Sequence, residues 1–194
     1  MDLLIKQIEE YASENNIPIM QKDGILFLLD FINKNKIKNI LEIGTAIGYS
    51  SIRMANVDKQ ITVTTIERDE ERYNIAVENI NNAGLSDRIN VIFSDALDIN
   101  IKDKFDLIFI DAAKGKNIEF FEKYKECLNP YGYIITDNLS FHGLVDENIS
   151  NIKSRNVRGL VRKIRRYIDF LKTNDEYETF FYQIGDGISV SKKK

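Results

Sequence analysis

The sequence predicts an α/β domain: a doubly wound, seven-stranded, mostly parallel sheet with a C-terminal antiparallel hairpin. Three observations predict it. Apolar runs of strand length alternate with helix-length segments, the pattern of successive βαβ units. The runs "LIFI" (107–110) and "YIIT" (133–136) are continuously apolar, as in strands covered on both faces. The last two runs are joined through Gly185-Asp186-Gly187, a turn composition that suits a hairpin.

The elements follow in order. Two helices are expected near 2–14 and 21–34, with Pro18 in the break between them. Strand-like runs are "NILEIG" (39–44), "ITVTTIE" (61–67), "INVIFSD" (89–95), "FDLIFID" (105–111) and "GYIITD" (132–137). Helical patterns fall between them near 48–56, 69–83 and 115–128. A helix near 155–173 precedes "YETFFYQI" (177–184) and "GISVSK" (187–192), the hairpin. No linker or repeat divides the chain, so 1–194 is read as one domain, with residues 1–36 as N-terminal helices covering the site.

Composition bounds the class. A hydrophobic fraction of 43% over 194 residues is enough for one substantial core. The start lacks a basic segment followed by an apolar block, and no run approaches the roughly 18 apolar residues that span a bilayer. The single cysteine, Cys127, excludes an internal disulfide, suits a reducing compartment and is expected to fill core. A cytoplasmic protein without membrane association is expected. The net charge of −3 argues against general nucleic-acid binding. Residues 153–166, "KSRNVRGLVRKIRR", nevertheless hold seven Lys or Arg and no acid.

The first strand runs into "LEIGTAIGYSS" (41–51). Gly44 and Gly48 permit a tight turn and close backbone approach where strand one hands over to a helix. The G-x-x-x-G spacing differs from the dinucleotide G-x-G-x-x-G, so pyrophosphate binding is not specifically signalled. Glu67 ends strand two, 23 residues after Gly44, where an acid would accept hydrogen bonds from ribose hydroxyls. Asp95 ends strand three beside the same crevice. An adenosine-bearing ligand is the inference.

The segments "LEIGTAIGYSSIRMA", "TTIERD", "IFIDAAKG" and "IITDNLSFHGLV" together resemble the class I S-adenosylmethionine-dependent O-methyltransferases of the catechol and caffeoyl-CoA type. Within that group the chain looks most like the bacterial tRNA 5-hydroxyuridine methyltransferases, which modify the wobble uridine. The resemblance runs from about Ile17 through "GDGISVSKKK". It implies that Glu42, Gly44, Tyr49, Ser50, Glu67, Asp95 and Ala96 line the donor site, with Met20 near the methionine end and Asp111 shared with the metal. It also implies a homodimer, although the N-terminus reads about one helix shorter than is usual in relatives.

Asp111 ends strand four, and Asp137-Asn138 ends strand five. Neighbouring strands lie about 4.8 Å apart, so two carboxylates and an amide converge at one sheet edge. Without a cation the carboxylates would repel; with Mg²⁺ they form an all-oxygen ligand set. The resemblance assigns that role to Asp111, Asp137 and Asn138. Lys114, three residues after Asp111, would have its charged form disfavoured by the metal and accept the proton of the substrate hydroxyl. Asp111 and Lys114 are thus the expected catalytic pair. His142, the only histidine, is expected to be a solvated loop residue.

The acceptor is less directly written. Arg155, Arg158, Arg162, Lys163, Arg165 and Arg166 fall largely on one helix next to the metal loop. A basic face beside the site suits a phosphate backbone, and a flipped wobble uridine would bring its 5-hydroxyl to the metal. The expected substrate is therefore the anticodon region of tRNA, giving 5-methoxyuridine. The alternative is a small catechol-like phenol, with the basic helix as an ordinary solvated face.

Overall fold

The computed structural model describes residues 1–112 and 114–194, with Lys114 described by its backbone alone. Helices α1 (Asp2–Glu14) and α2 (Lys22–Lys34) precede strand β1 (Asn39–Ile43). Then come α3 (Tyr49–Ala55), β2 (Thr62–Glu67), α4 (Glu70–Asn82), β3 (Ile89–Phe93) and β4 (Phe105–Ile110). Helix α5 (Asn117–Tyr124), β5 (Leu128–Thr136), α6 (Arg155–Lys172), β6 (Tyr177–Tyr182) and β7 (Ile188–Lys193) complete the chain.

The sheet order is β3-β2-β1-β4-β5-β7-β6. Strands β1 to β5 run parallel, and β7 is antiparallel to both β5 and β6. The expected doubly wound sheet with its terminal hairpin is therefore borne out. The chain winds outward from β1 in one direction and from β4 in the other, so the topological switch point lies between them. Ligands of open α/β sheets bind at such a point, outside the carboxyl ends of the strands.

Strand alternation divides the core into two layers. Ile40, Leu107, Phe109 and Ile135 face Ile8 and Ala12 of α1, Ile25, Leu28 and Ile32 of α2, and Ile52 of α3. Leu41, Ile43, Ile108, Ile110 and Ile134 face Phe120, Phe121 and Tyr124 of α5 and Ile164, Tyr167 and Leu171 of α6. In α6 the buried residues Val161, Ile164, Tyr167 and Leu171 recur at helical spacing, which fixes the apolar stripe inward and its arginines outward. The cap of α6 is Ser154, whose Oγ accepts from the Val157 N–H, and α4 is capped by Asp69. Phe121 is fully buried between the rings of Phe170 and Tyr177; truncation to alanine there costs about 3–5 kcal/mol.

Cys127 is buried and bonds the Ile101 carbonyl, as core filling predicts. Strand β5 begins at Leu128, earlier than the expected 132, because a register shift against β4 lets Leu128 pair with Phe105 before Tyr133 pairs with Leu107. Among the described residues no helix is long and apolar enough to cross a membrane.

Candidate active site

Ladder hydrogen bonds carry the sheet register into the loops and set the site residues in a row. Gly44 N–H donates to Ile66 O, Ser94 N–H to Glu67 O, Asp111 N–H to Ile43 O and Asp137 N–H to Ile110 O. A cleft of about 680 Å³ opens along this edge. Met20, Gly44, Tyr49, Ser50, Glu67, Asp95, Ala96, Asp111, Asp137, Asn138 and His142 all line it. The wall from the N-terminal region is the segment between α1 and α2, Pro18 to Gln21; the helices themselves lie on the sheet face.

Glu67 is buried and holds the glycine turn. Its Oε2 accepts from Ala46 N–H at 2.8 Å, and its Oε1 accepts from Arg68 and Asp69 N–H, each at 2.9 Å. A carboxylate offers about four lone-pair directions, so one remains for a ribose hydroxyl. Asp95 lies between Arg68 and Lys116, 3.4 and 3.7 Å away. The Leu97 N–H foremost, then these two cations, hold its carboxyl below the usual range.

Glu42 does not face the cleft but stands directly behind its wall, fully buried. It accepts from the hydroxyls of Ser50, Ser51 and Thr65, and Thr65 also bonds Thr45 at 2.6 Å. Burial outweighs these donors and pushes its pKa up to about 7. The sequence pointed to Glu42 and Ser50; Ser51, Thr45 and Thr65 carried no separate signal. Tyr49 donates to Glu9 Oε1 of α1 at 2.8 Å and accepts from Arg53 at 3.0 Å, which ties α1 to the cleft. Burial first, then Glu9, pushes the phenol up to about 12.

On the other side, Asn138 Nδ2 donates to Asp111 Oδ1 at 2.9 Å, and Asp137 is buried. Among the described residues no three His, Cys, Asp or Glu side chains converge on one point. The set is two carboxylates and a carboxamide on one cleft wall. Its chemistry fits a hard divalent cation, with the amide presenting its oxygen after a half-turn about χ2. The Lys114 side chain, expected to be the base, lies outside the described residues. Phe120, Phe141 and Leu160 add an apolar wall at this end; sequence reasoning missed all three, since apolar residues flanking a site look like core.

The basic helix separates into two groups. Arg158 donates to the carbonyls of Ile152 and Lys153, and Arg165 to those of Val145 and Glu147; both bind the preceding loop. Arg155, Arg162 and Arg166 are exposed at spacings of seven and four, one face of the helix. Lys163 reaches toward the cleft rim: its Nζ would stand 3.1 Å from a Cβ on Gly115.

The O-methyltransferase family model matches residues 2–194. The chain belongs to the O-methyltransferase family. Among relatives of this family, a caffeoyl-CoA O-methyltransferase of Populus kitakamiensis is 27% identical over 92% of this chain and 78% of its own length. A catechol O-methyltransferase of Niastella koreensis is 38% identical over 57% of this chain and 54% of its own. Similar O-methyltransferase structures include that of a Bacillus cereus enzyme in complex with S-adenosylhomocysteine (SAH), with a TM-score of 0.83, 29% identity and coverage of 100% and 92%. A Staphylococcus aureus structure, provisionally named a caffeoyl-CoA O-methyltransferase, superposes with a TM-score of 0.93 at 39% identity, covering 98% and 92%.

Proposed function

We propose that this O-methyltransferase transfers the methyl group of S-adenosylmethionine to the 5-hydroxyl of wobble 5-hydroxyuridine in tRNA, giving 5-methoxyuridine. One observation carries the reading. A single cleft joins a nucleoside-type half (Gly44, Glu67, Asp95) to an oxygen-rich half (Asp111, Asp137, Asn138), with Leu160 of α6 in its lining and Lys163 of the same helix beside Gly115 at its rim. The donor would lie between Met20 and Asp95, with Glu67 accepting from a ribose hydroxyl and Asp95 beside the base. The chemistry this cofactor supplies is an electrophilic sulfonium methyl group.

Asp111, Asp137 and Asn138 would hold Mg²⁺ or another divalent cation, whose chemistry there is to acidify the acceptor hydroxyl. Lys114 takes the hydroxyl proton. Phe141 and Leu160 exclude water, and the cleft walls hold acceptor oxygen and methyl group in line, the source of much of the rate. No covalent enzyme intermediate is needed. Arg155, Arg162, Lys163 and Arg166 would contact the anticodon-arm phosphates.

The apolar wall of Phe120, Phe141 and Leu160, together with the relative named a catechol O-methyltransferase, supports a second reading in which a small catechol-like phenol is the acceptor. Incubation with labelled methyl donor, Mg²⁺ and either tRNA bearing 5-hydroxyuridine or a catechol decides. Label in tRNA is expected. Label in the catechol alone supports the second reading, and label in neither contradicts both.

A further inference from the structure

Backbone strain is concentrated in the loop after β5. Asn138, Phe141, His142 and Gly143 have φ of 68°, 47°, 57° and 81°. A non-glycine residue in that region is strained and persists only where its surroundings hold it. The holding groups come from far along the chain, in the turn between β6 and β7. Leu139 N–H donates to Gly187 O at 3.0 Å and Ser140 N–H to Asp186 O at 2.7 Å. His142 N–H donates to the Asp186 carboxylate at 2.5 Å.

A carboxylate on a hairpin turn is ordinarily solvated, yet Asp186 is 3% exposed. The turn reaches it there because Gly187, at φ +84°, lets the two backbones touch: a Cβ would stand 2.8 Å from Ser140 N. The other flank of the turn rests on α2, where a Cβ on Gly185 would meet Gly24 at 3.3 Å. The turn is therefore wedged between the helix behind Met20 and the loop carrying Asn138, Phe141 and His142, all of which line the cleft.

We propose that Asp186 is a positioning residue: it holds the 138–143 loop in its strained form, which presents Asn138, Phe141 and His142 to the acceptor. This rests on the acceptor end of the cleft being where the preceding reading puts it. Asp186 touches neither donor nor acceptor and acts through the loop.

The test combines kinetics with a probe that needs no activity. His142 is the only histidine and its Nδ1 lies 3.8 Å from Asp186 Oδ1, so its imidazole Cε1–H gives one resonance that reports the loop together with its contact to Asp186. In Asp186→Ala we expect that resonance to move, acceptor KM to rise at least tenfold, and the SAH dissociation constant to stay within twofold. Asp186→Asn, which keeps an oxygen for the His142 N–H, should restore KM, while the resonance stays displaced because the charge 3.8 Å from His142 Nδ1 is lost. In the wild-type protein the His142 amide should exchange slowly with deuterium, a readout that stands even where the alanine variant does not fold. An unmoved resonance, a fast-exchanging amide, or equal loss of donor and acceptor binding overturns the proposal. A wild type that methylates neither acceptor would overturn the functional reading while leaving the resonance and exchange to decide this one.

Discussion

Gly44 and Asp111 meet at the switch point of the sheet. A Cβ on Gly44 would stand 2.5 Å from the Asp111 carbonyl oxygen and 3.0 Å from Ala112 Cα. The glycine has φ +102°, so both space and conformation exclude a side chain. The glycine turn proposed to hold the donor is thus packed directly on the strand end that carries the acidic set. Gly44→Ala is expected to damage both: overpacking costs about 1–3 kcal/mol, read by chemical denaturation, and SAH affinity falls with it. Unchanged stability and affinity would show that the turn relaxes freely.

Glu42 makes a pH-dependent contribution. Its pKa is raised from 4.5 to about 7, so the folded state holds the proton more tightly than the unfolded state. The stability from this group is fully present below about 4.5 and is lost as pH rises toward 7. At about 1.36 kcal/mol per pH unit, the penalty above pH 7 is about 3 kcal/mol. Glu42→Gln should therefore gain stability relative to wild type on going from pH 5 to pH 8, measured by denaturation at both. A constant difference across that range would contradict it.

Glu67→Ala should weaken SAH binding by about 1–3 kcal/mol, the range for leaving buried hydrogen-bonding groups unpaired. Because the carboxylate also binds the Ala46, Arg68 and Asp69 amides, the variant should lose thermal stability as well. Calorimetry reads the first effect and scanning denaturation the second. An unchanged dissociation constant would remove Glu67 from the donor site.

The two groups of arginines in α6 should behave differently. Replacing Arg155, Arg162 and Arg166 by Gln should raise KM for tRNA with little effect on a small phenol, and the loss should shrink at higher salt. Arg165→Gln should instead lower stability, because its guanidinium holds the Val145 and Glu147 carbonyls. No change in KM for tRNA in the triple variant would make this face an ordinary solvated one.

The strand ends were legible because a parallel sheet places successive carboxyl ends in one row, so Gly44, Glu67, Asp95, Asp111 and Asp137 could be gathered from their positions alone. The hairpin was legible too, but not that β7 would insert between β5 and β6, since strand order depends on long-range pairing. Six basic residues looked alike in sequence; whether a guanidinium meets solvent or a carbonyl, as for Arg162 and Arg165, depends on where the preceding loop returns. The strain at Phe141 and His142 has no local signal, because Asp186, which is 44 residues from His142, holds it.

On the proposed reading, donor and acceptor are held by separate ends of one cleft, the acceptor end through a divalent cation on Asp111, Asp137 and Asn138. The most direct measurement is methyl transfer by wild-type protein before EDTA treatment, after it, and after Mg²⁺ is restored, with SAH affinity followed in parallel. Transfer should vanish and return while SAH affinity holds, and Asp137→Ala should match the chelated state. Full transfer in EDTA would remove the cation from the acceptor end, and SAH binding that falls with the metal would show that the two ends are not separate.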